Sequence, residues 1–478
     1  MGHLILLATP VMQSCSRLAP LLLSIAAAGC ARAPQLAVAP GVLSRDWGVN
    51  IPASGIGVPR AAFWRAFGSP DLERLIAAAL ADNPGLDATH ARVDRARAEL
   101  RIASASRFPI VEASVNAEGA RNQNQASPVY TYNGVSAGLD VSYDFDLFGA
   151  NAATRRASRA RYAGLRFDSD ATTLVVQADV ARTFVQLATL ADRMALAARE
   201  LTAARDVQRI IALRLREGSG DEVDAGRQAV EVEQLVAFQA MLDEQHRHAL
   251  TALALLIGAE PPSFLLPPVT LANLAAPEVD PGQPGSLIGR RPDIRAAEAR
   301  IAAARGDVDA ARRAFLPSFK LTASGLASAV GFLGPIGLTT SAGASLLAPI
   351  FEGGRLRGQL ESASAGQRES VALYRQTLLA ALGETTDALN ANALANVRLA
   401  SATRALGAAS RTVRIAEFRY REGETGLSAL LGARHDAYAA EDRRLIATQD
   451  RLLATIDLFR ATGGADFVDD PDQSPATS

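Results

Sequence analysis

The chain has little of what most function classes require. Of its 478 residues only two are cysteines, Cys15 and Cys30, both near the N-terminus, so neither a disulfide framework nor a cysteine metal site can be built. Lys320 is the only lysine, and every other basic residue is arginine, a bias of composition rather than of function. The formal net charge of -1 carries no mark of a nucleic-acid partner. The five histidines are His3, His90, His246, His248 and His435. None falls in a His-Glu-x-x-His pattern, and no phosphate loop or nucleophile elbow is present. His246 and His248 stand two apart and do not share a helix face. These absences argue against an enzyme and against a bound metal. Past the N-terminal segment there is no run of about 18–20 apolar residues, so no transmembrane helix is expected. A membrane could be entered only by barrel strands or by a lipid.

What is present begins with an alternation. From Gly134 to Leu147, Val135, Ala137, Leu139, Val141, Tyr143, Phe145 and Leu147 fall on one face of an extended strand. Ser136, Gly138, Asp140, Ser142, Asp144 and Asp146 fall on the other. A soluble half-buried strand averages about 5–6 residues, whereas a tilted membrane strand needs about 9–11. The length favours a barrel strand, apolar toward lipid and polar toward a lumen. A calcium loop is a poor reading of Asp140, Asp144 and Asp146, because the loop glycine and glutamate are missing.

The N-terminus reads as a secretory signal, with Arg17 ahead of the apolar run Leu18–Ala28. Met12 is an alternative start. Ala27-Ala28-Gly29-Cys30 resembles a bacterial lipobox, which implies cleavage before Cys30 and N-acyl and S-diacylglycerol groups on that residue. Ala31 resembles the outer-membrane sorting signal of such lipoproteins. The other reading is ordinary cleavage beside an incidental cysteine.

The rest is a duplication. Pro84 and Pro109 match Pro292 and Pro317 at an offset of 208, and Ala91, Arg92, Ala96 and Arg97 match Ala299, Arg300, Ala304 and Arg305. Arg216-Glu217-Gly218 matches Arg421-Glu422-Gly423. The predicted organisation is a signal (1–29), an acylated lead (30–69), a first repeat (70–260), a linker (261–290), a second repeat (291–461) and a loose polar tail (462–478). Ser69, Pro70 and Asp71 start a helix that pauses at Asn83-Pro84 and resumes to about Arg107. A strand over Val111–Glu118, a polar loop over Arg121–Gln125 and the opening alternation make one antiparallel hairpin. The second hairpin pairs a strand from Phe319 with one over Leu338–Ile350, across a Gly-rich loop over 325–337. A long helix follows each hairpin. The first, Asn151–Glu217, spans roughly 100 Å at 1.5 Å per residue. It breaks at Gly218-Ser219-Gly220, and Asp221 caps a return to about Ile257; the second repeat breaks near Gly423 and returns to about Arg460. Helices of this length must pack side by side as coiled coils.

Four membrane strands cannot close a barrel, since barrels begin at about eight and open edges are not tolerated in lipid. The fold class expected is therefore mixed α and β: an oligomeric β-barrel continued by a helical barrel, which together form a tube.

At this point the residues resemble a known family, the TolC-type bacterial outer-membrane efflux channels, especially the NodT-like lipoproteins. The resemblance rests on Arg290-Arg291-Pro292-Asp293-Ile294-Arg295-Ala296-Ala297-Glu298, Phe315-Leu316-Pro317-Ser318, Pro349-Ile350-Phe351-Glu352-Gly353-Gly354-Arg355, Tyr143 through Gly149, and Phe63-Trp64 through Pro84. It implies a homotrimer with a twelve-stranded transmembrane barrel and a long periplasmic α-barrel. It further implies a passive channel that docks an inner-membrane pump through a periplasmic adaptor, with outer-membrane lipid as its surroundings and no nucleic acid. Asp140, Asp144, Asp146, Glu112 and Glu118 are then read as pore-lining. Gly218, Asp221, Glu222, Asp224, Glu422, Gly423 and Glu424 are the candidates for the periplasmic tip or gate. The stretch Leu427–Ala433 departs from the family by lacking the aspartates often found there, and the tip acids also read as solvated helix caps. Two other functions remain open. One is a lipid-anchored coiled-coil tether, which explains the helices and Cys30 but not the hairpins. The other is an exit duct for protein secretion.

Overall fold

The computed structural model describes residues 46–47, 62–124, 127–330 and 334–464. The expected signal, Cys30, most of the lead and the chain beyond Gly464 lie outside the described residues.

Helix α1 (Pro70–Asp82) starts where its capping residues dictate: the Leu72 amide donates to the Ser69 hydroxyl at 3.3 Å, and Pro70 takes the first helical position. Asn83 both ends α1 and starts α2 (Pro84–Ala105). Its Oδ1 accepts from the Leu86 amide at 3.0 Å, and its Nδ2 donates to the Leu256 carbonyl at 2.7 Å. A local cap is thereby also a long-range tie. Next come β1 (Ile110–Asn124), β2 (Ser127–Phe145), α3 (Ala150–Arg216) and α4 (Glu222–Leu256). The second repeat supplies α5 (Pro292–Arg313), β3 (Ser318–Val330), β4 (Ile336–Leu347), α6 (Arg355–Arg421) and α7 (Leu427–Ala461). The duplication extends to helix length: α2 and α5 have 22 residues each, α3 and α6 have 67, and α4 and α7 have 35.

The four strands form one antiparallel sheet in the order β1-β2-β3-β4. The strands outrun the sequence expectation. Arg121–Asn124, read as a polar loop, is strand paired to β2, and Gly325–Val330, read as part of a Gly-rich loop, belongs to β3. Ladder hydrogen bonds are made by the backbone, so polar and glycine residues extend a hairpin wherever the partner continues. At their other ends β2 stops at Phe145, two residues short of the expected Leu147, and β4 at Leu347, three short of the expected Ile350.

Helix α3 packs against α2 and α4 of its own repeat and against α5 and α7 of the other. It contains a window of membrane-spanning length and hydropathy, 61% of which is buried within the chain, so that apolarity serves packing. Against α5, Gly306 lets the helices approach; a Cβ there would lie 2.8 Å from Ala157 Cβ. Ion pairs mark the same seam: Arg161–Asp307 at 2.6 Å, Arg300–Asp168 at 2.7 Å and Arg156–Asp309 at 3.5 Å. These pairs are partly exposed and worth about 0–1 kcal/mol each, so they set register more than they hold the seam together.

The main core lies where the segment before α1 meets α3 and α7. Phe63 stacks on Phe459 with ring centroids 3.7 Å apart and planes 4° from parallel, and both are buried with Phe67, Leu72, Phe184 and Ile456. Trp64 Nε1 reaches Gln177 at 3.3 Å. The linker is stitched to this core. The Leu271 amide donates to Asp192 at 3.0 Å, the Ala275 amide to the Phe67 carbonyl at 3.0 Å, and Trp47 Nε1 to the Gly282 carbonyl at 2.8 Å. Thr462 is fully buried, and the amides of Gly463 and Gly464 close the end of α7 on Arg460 and Phe459. The packed C-cap of α7 thus falls within residues 462–464, which the predicted organisation assigns to the tail.

Candidate functional site

Register decides which side chains share a face. In an antiparallel ladder, directly opposed residues point the same way. Val111, Val141, Ala323 and Ala342 form one row, and Val115, Ala137, Ala327 and Leu338 another. The alternate rows read Glu112, Asp140, Ser324 and Ser341, then Ser114, Gly138, Leu326 and Thr339. In these rows one face is apolar across all four strands and the other, apart from Leu326, is small, hydroxylated and acidic. The apolar face is left uncovered by the described residues: Val115 is 76% exposed and Leu338 77%. Where the sheet meets the helices, Phe145 packs on Phe319 at 6.1 Å and on Tyr143 at 6.3 Å. Phe108, Phe315, Ile350 and Phe351 are also exposed at this level. Exposed aromatics at one end of an apolar band are the pattern of a membrane-water boundary.

Four of the five pore-lining candidates share the polar face. Glu112 stands directly opposite Asp140, Glu118 opposite Gly134, and Asp144 opposite Lys320. Like charges set opposite each other cost stability unless water reaches them, and all four acids are exposed. Lys320, legible in the sequence only as a compositional oddity, is the basic residue that the register places among them. Asp146 is a correction. It lies past the end of β2, and its Oδ1 and Oδ2 accept from the Asn151 and Ala152 amides at 3.1 and 2.8 Å. The first helical amides lack intrahelical partners, and a carboxylate there satisfies them; strand alternation read one residue too far had placed it in the lumen.

The two helix tips are built alike. Gly218 and Gly423 have φ of 74° and 76°, the left-handed conformation that glycine adopts without strain. After Gly218 the Ser219 amide donates to the Arg214 carbonyl at 2.9 Å, and after Gly423 the Glu424 amide donates to the Arg419 carbonyl at 2.8 Å. The tips are neighbours, since Arg214 Nη2 donates to the Tyr420 hydroxyl at 3.2 Å. Asp221 caps α4, accepting from the Val223 amide at 2.9 Å, with Glu222 and Asp224 exposed in the first turn behind it. Glu422 is the C-terminal cap residue of α6 and is exposed, and Glu424 lies 4.0 Å from Arg419. Asp221 is thus engaged as a cap, while the other acids stand in solvent. Among the described residues no group of three or more His, Cys, Asp or Glu is arranged to hold a metal ion.

The same architecture occurs in known proteins. The sequence profile described as outer membrane efflux protein matches residues 75–259 and 284–464, one segment for each repeat. The pyoverdine export outer membrane protein OpmQ of Pseudomonas aeruginosa is 32% identical over 419 residues, covering 84% of this chain and 87% of that protein. The cation efflux system protein CusC of Escherichia coli is 27% identical, covering 95% and 99%. The crystal structure of the open state of the Neisseria gonorrhoeae MtrE outer membrane channel superimposes with a TM-score of 0.79 at 25% identity, covering 88% of this chain and 96% of that one. The kinship read from the Arg290–Glu298 run and its companion motifs holds, and the chain belongs to the outer membrane efflux protein family.

Proposed function

We propose that this protein is the passive exit channel of a tripartite efflux system. It receives small molecules from an inner-membrane pump through a periplasmic adaptor and releases them outside the cell. The observation that carries this reading is the two-faced sheet with open edges. Strands of 12 to 19 residues exceed the roughly 9–11 that a membrane needs, and β1 and β4 have no outer partners among the described residues. Unpaired edges are not tolerated in lipid, so other copies must supply them. Three copies of a four-stranded sheet make a closed barrel of twelve strands, an even number within the known range. Apolar residues face lipid, while Glu112, Glu118, Asp140, Asp144 and Lys320 face water. The helices extend the duct into the periplasm, and the tips around Gly218 and Gly423 meet the adaptor. Cys30, acylated after signal cleavage, anchors the assembly to the outer membrane. The duct performs no chemistry and takes its energy from the pump. Relatives named for pyoverdine, toluene and cation export support small molecules as cargo.

The test is the native mass of the detergent-extracted, full-length product, together with its conductance in a planar bilayer. A mass of three chains, each beginning at an acylated Cys30 and opening conducting pores, is expected. A monomer that stays soluble without detergent overturns the channel and leaves a lipid-anchored coiled-coil tether in its place.

A further inference from the structure

Between α4 and α7, over α3, lies a cleft of about 370 Å³. Its volume is within the range of small-molecule sites, about 300–1,000 Å³. Leu196 of α3, Leu235 and Phe238 of α4, and Tyr438 of α7 supply an apolar and aromatic lining.

The charges around the cleft do not cancel. Arg193 binds Asp442 through two hydrogen bonds, 2.6 and 3.2 Å, and its guanidinium carbon lies 5.8 Å over the Phe238 ring. Arg199 is taken by Glu441 at 2.8 Å, and Arg434 by Glu417 at 2.9 Å. That leaves Glu200 of α3 and Glu231 of α4, both lining the cleft, with no arginine or lysine paired to either among the described residues. The Glu200 side chain is only 16% exposed, and its nearest cationic group is His435, with Nδ1 3.7 Å from Oε1. Burial raises the Glu200 carboxyl above the ordinary range; His435 opposes this, and Glu231 and Asp442 add to it. Burial, with Glu200 next, likewise raises the Tyr438 hydroxyl. Surplus negative charge is therefore held in a half-buried, aromatic-walled space. An ionised carboxylate in such a place is costly until a cation joins it. A hard inorganic cation is poorly served, because calcium takes 6–8 oxygen ligands and only two uncommitted carboxylates are at hand. Aromatic walls beside carboxylates suit a cation that carries an apolar body.

We propose that this cleft binds a small organic cation, its positive centre held by Glu200 and Glu231 and its apolar body laid against Leu196, Leu235, Phe238 and Tyr438. The site is made by one copy of the chain, so it goes beyond the exit-channel reading and does not rest on it. Protonation of Glu200, whose carboxyl burial already raises, removes one of the two negative charges and weakens binding.

The experiment follows ethidium by fluorescence anisotropy on the full-length, detergent-extracted protein. Saturable binding is expected at one site per chain. Affinity should fall at least tenfold in the double variant Glu200→Gln/Glu231→Gln and several-fold in the single variant Glu200→Gln. Phenanthridine, the uncharged ring system of the probe, should compete at least tenfold more weakly than an equal concentration of unlabelled organic cation. Absence of saturable binding overturns the proposal, as does unchanged affinity in a variant of wild-type helix content. If the double variant does not fold, the single variant Glu200→Gln and the phenanthridine competition on the wild type decide, and equal competition by phenanthridine and the organic cation overturns it. Bilayer conductance of the double variant should match the wild type, so a failure of this site and a failure of the channel reading give different results.

Discussion

Arg291 Nη1 donates to the carbonyl oxygen of Ala461 at 3.0 Å, across 170 residues of chain. Arg291 as a residue is 7% exposed, and its guanidinium also donates to Asp293 at 2.7 and 3.0 Å and to Glu384 at 2.8 Å. One side chain thus closes the end of α7, the start of α5 and the middle of α6. Arg291→Ala removes the cation from two carboxylates and one of two donors from the Ala461 carbonyl, which keeps the Thr385 hydroxyl at 3.0 Å. Hydrogen bonds to charged groups contribute about 1.5–3 kcal/mol each, and both acids keep partial access to water, so a loss of about 2–4 kcal/mol is expected. Denaturant unfolding of the extracted protein measures it. Arg291→Lys should recover only part, because an ammonium cannot bind Asp293 in fork geometry.

Gly423 and Gly463 both adopt positive φ, 76° and 93°, but in different surroundings. An added Cβ at Gly423 meets nothing within 4 Å, whereas at Gly463 it would sit 2.8 Å from the Arg290 carbonyl oxygen. Gly423→Ala should cost about 1 kcal/mol, the penalty of the left-handed conformation alone. Gly463→Ala should cost about 1–3 kcal/mol more, as overpacking does. Equal losses in parallel unfolding curves would refute the steric part.

Leu338 and Thr339 are adjacent on β4 and point to opposite faces. Arginine on the lipid face of a barrel costs about 2–4 kcal/mol near the midplane, while lumen positions tolerate charge. Leu338→Arg should reduce the heat-resistant oligomer recovered from membranes, and Thr339→Arg should leave its amount unchanged while altering conductance. The reverse pattern would invert the sheet.

Asp170 on α3 has its carboxyl raised above the ordinary aspartate value of 3.8 by burial, with Arg166 and Arg295 opposing. A raised carboxyl is paid for when ionised in the folded state. The wild type should therefore gain stability relative to Asp170→Asn as pH falls through the raised value toward 3.8. Thermal unfolding of both proteins at pH 7 and pH 4 checks the sign: the variant is the more stable at pH 7, and the gap narrows at pH 4.

Much of the fold was legible because its signals are local. Ser69, Asn83, Asp221 and the glycines at 218 and 423 each fix a helix end through groups a few residues away. Alternation along β2 likewise announced both faces of the sheet. The reach of the hairpins was not legible, since ladder pairing depends on a partner strand rather than on residue type. Asp146 was misplaced because a strand period carries no record of where the strand stops. The Glu200 and His435 cleft was out of reach for another reason: helical periodicity gives the faces of α3 and α7 but not that these two helices are neighbours.

The matched helix lengths of the two repeats constrain how this protein can change. One residue added to α3 alone would lift its tip by about 1.5 Å and turn it by about 100°, parting Arg214 from Tyr420 and facing every later side chain away from α4 and α7. The same step would have to be taken in α6 and answered in both return helices. Insertions that preserve the rim must therefore come as coordinated sets near whole helical turns. The reach of the structure across its compartment is a stepped quantity, inherited jointly by four helices and closed to drift in any one of them.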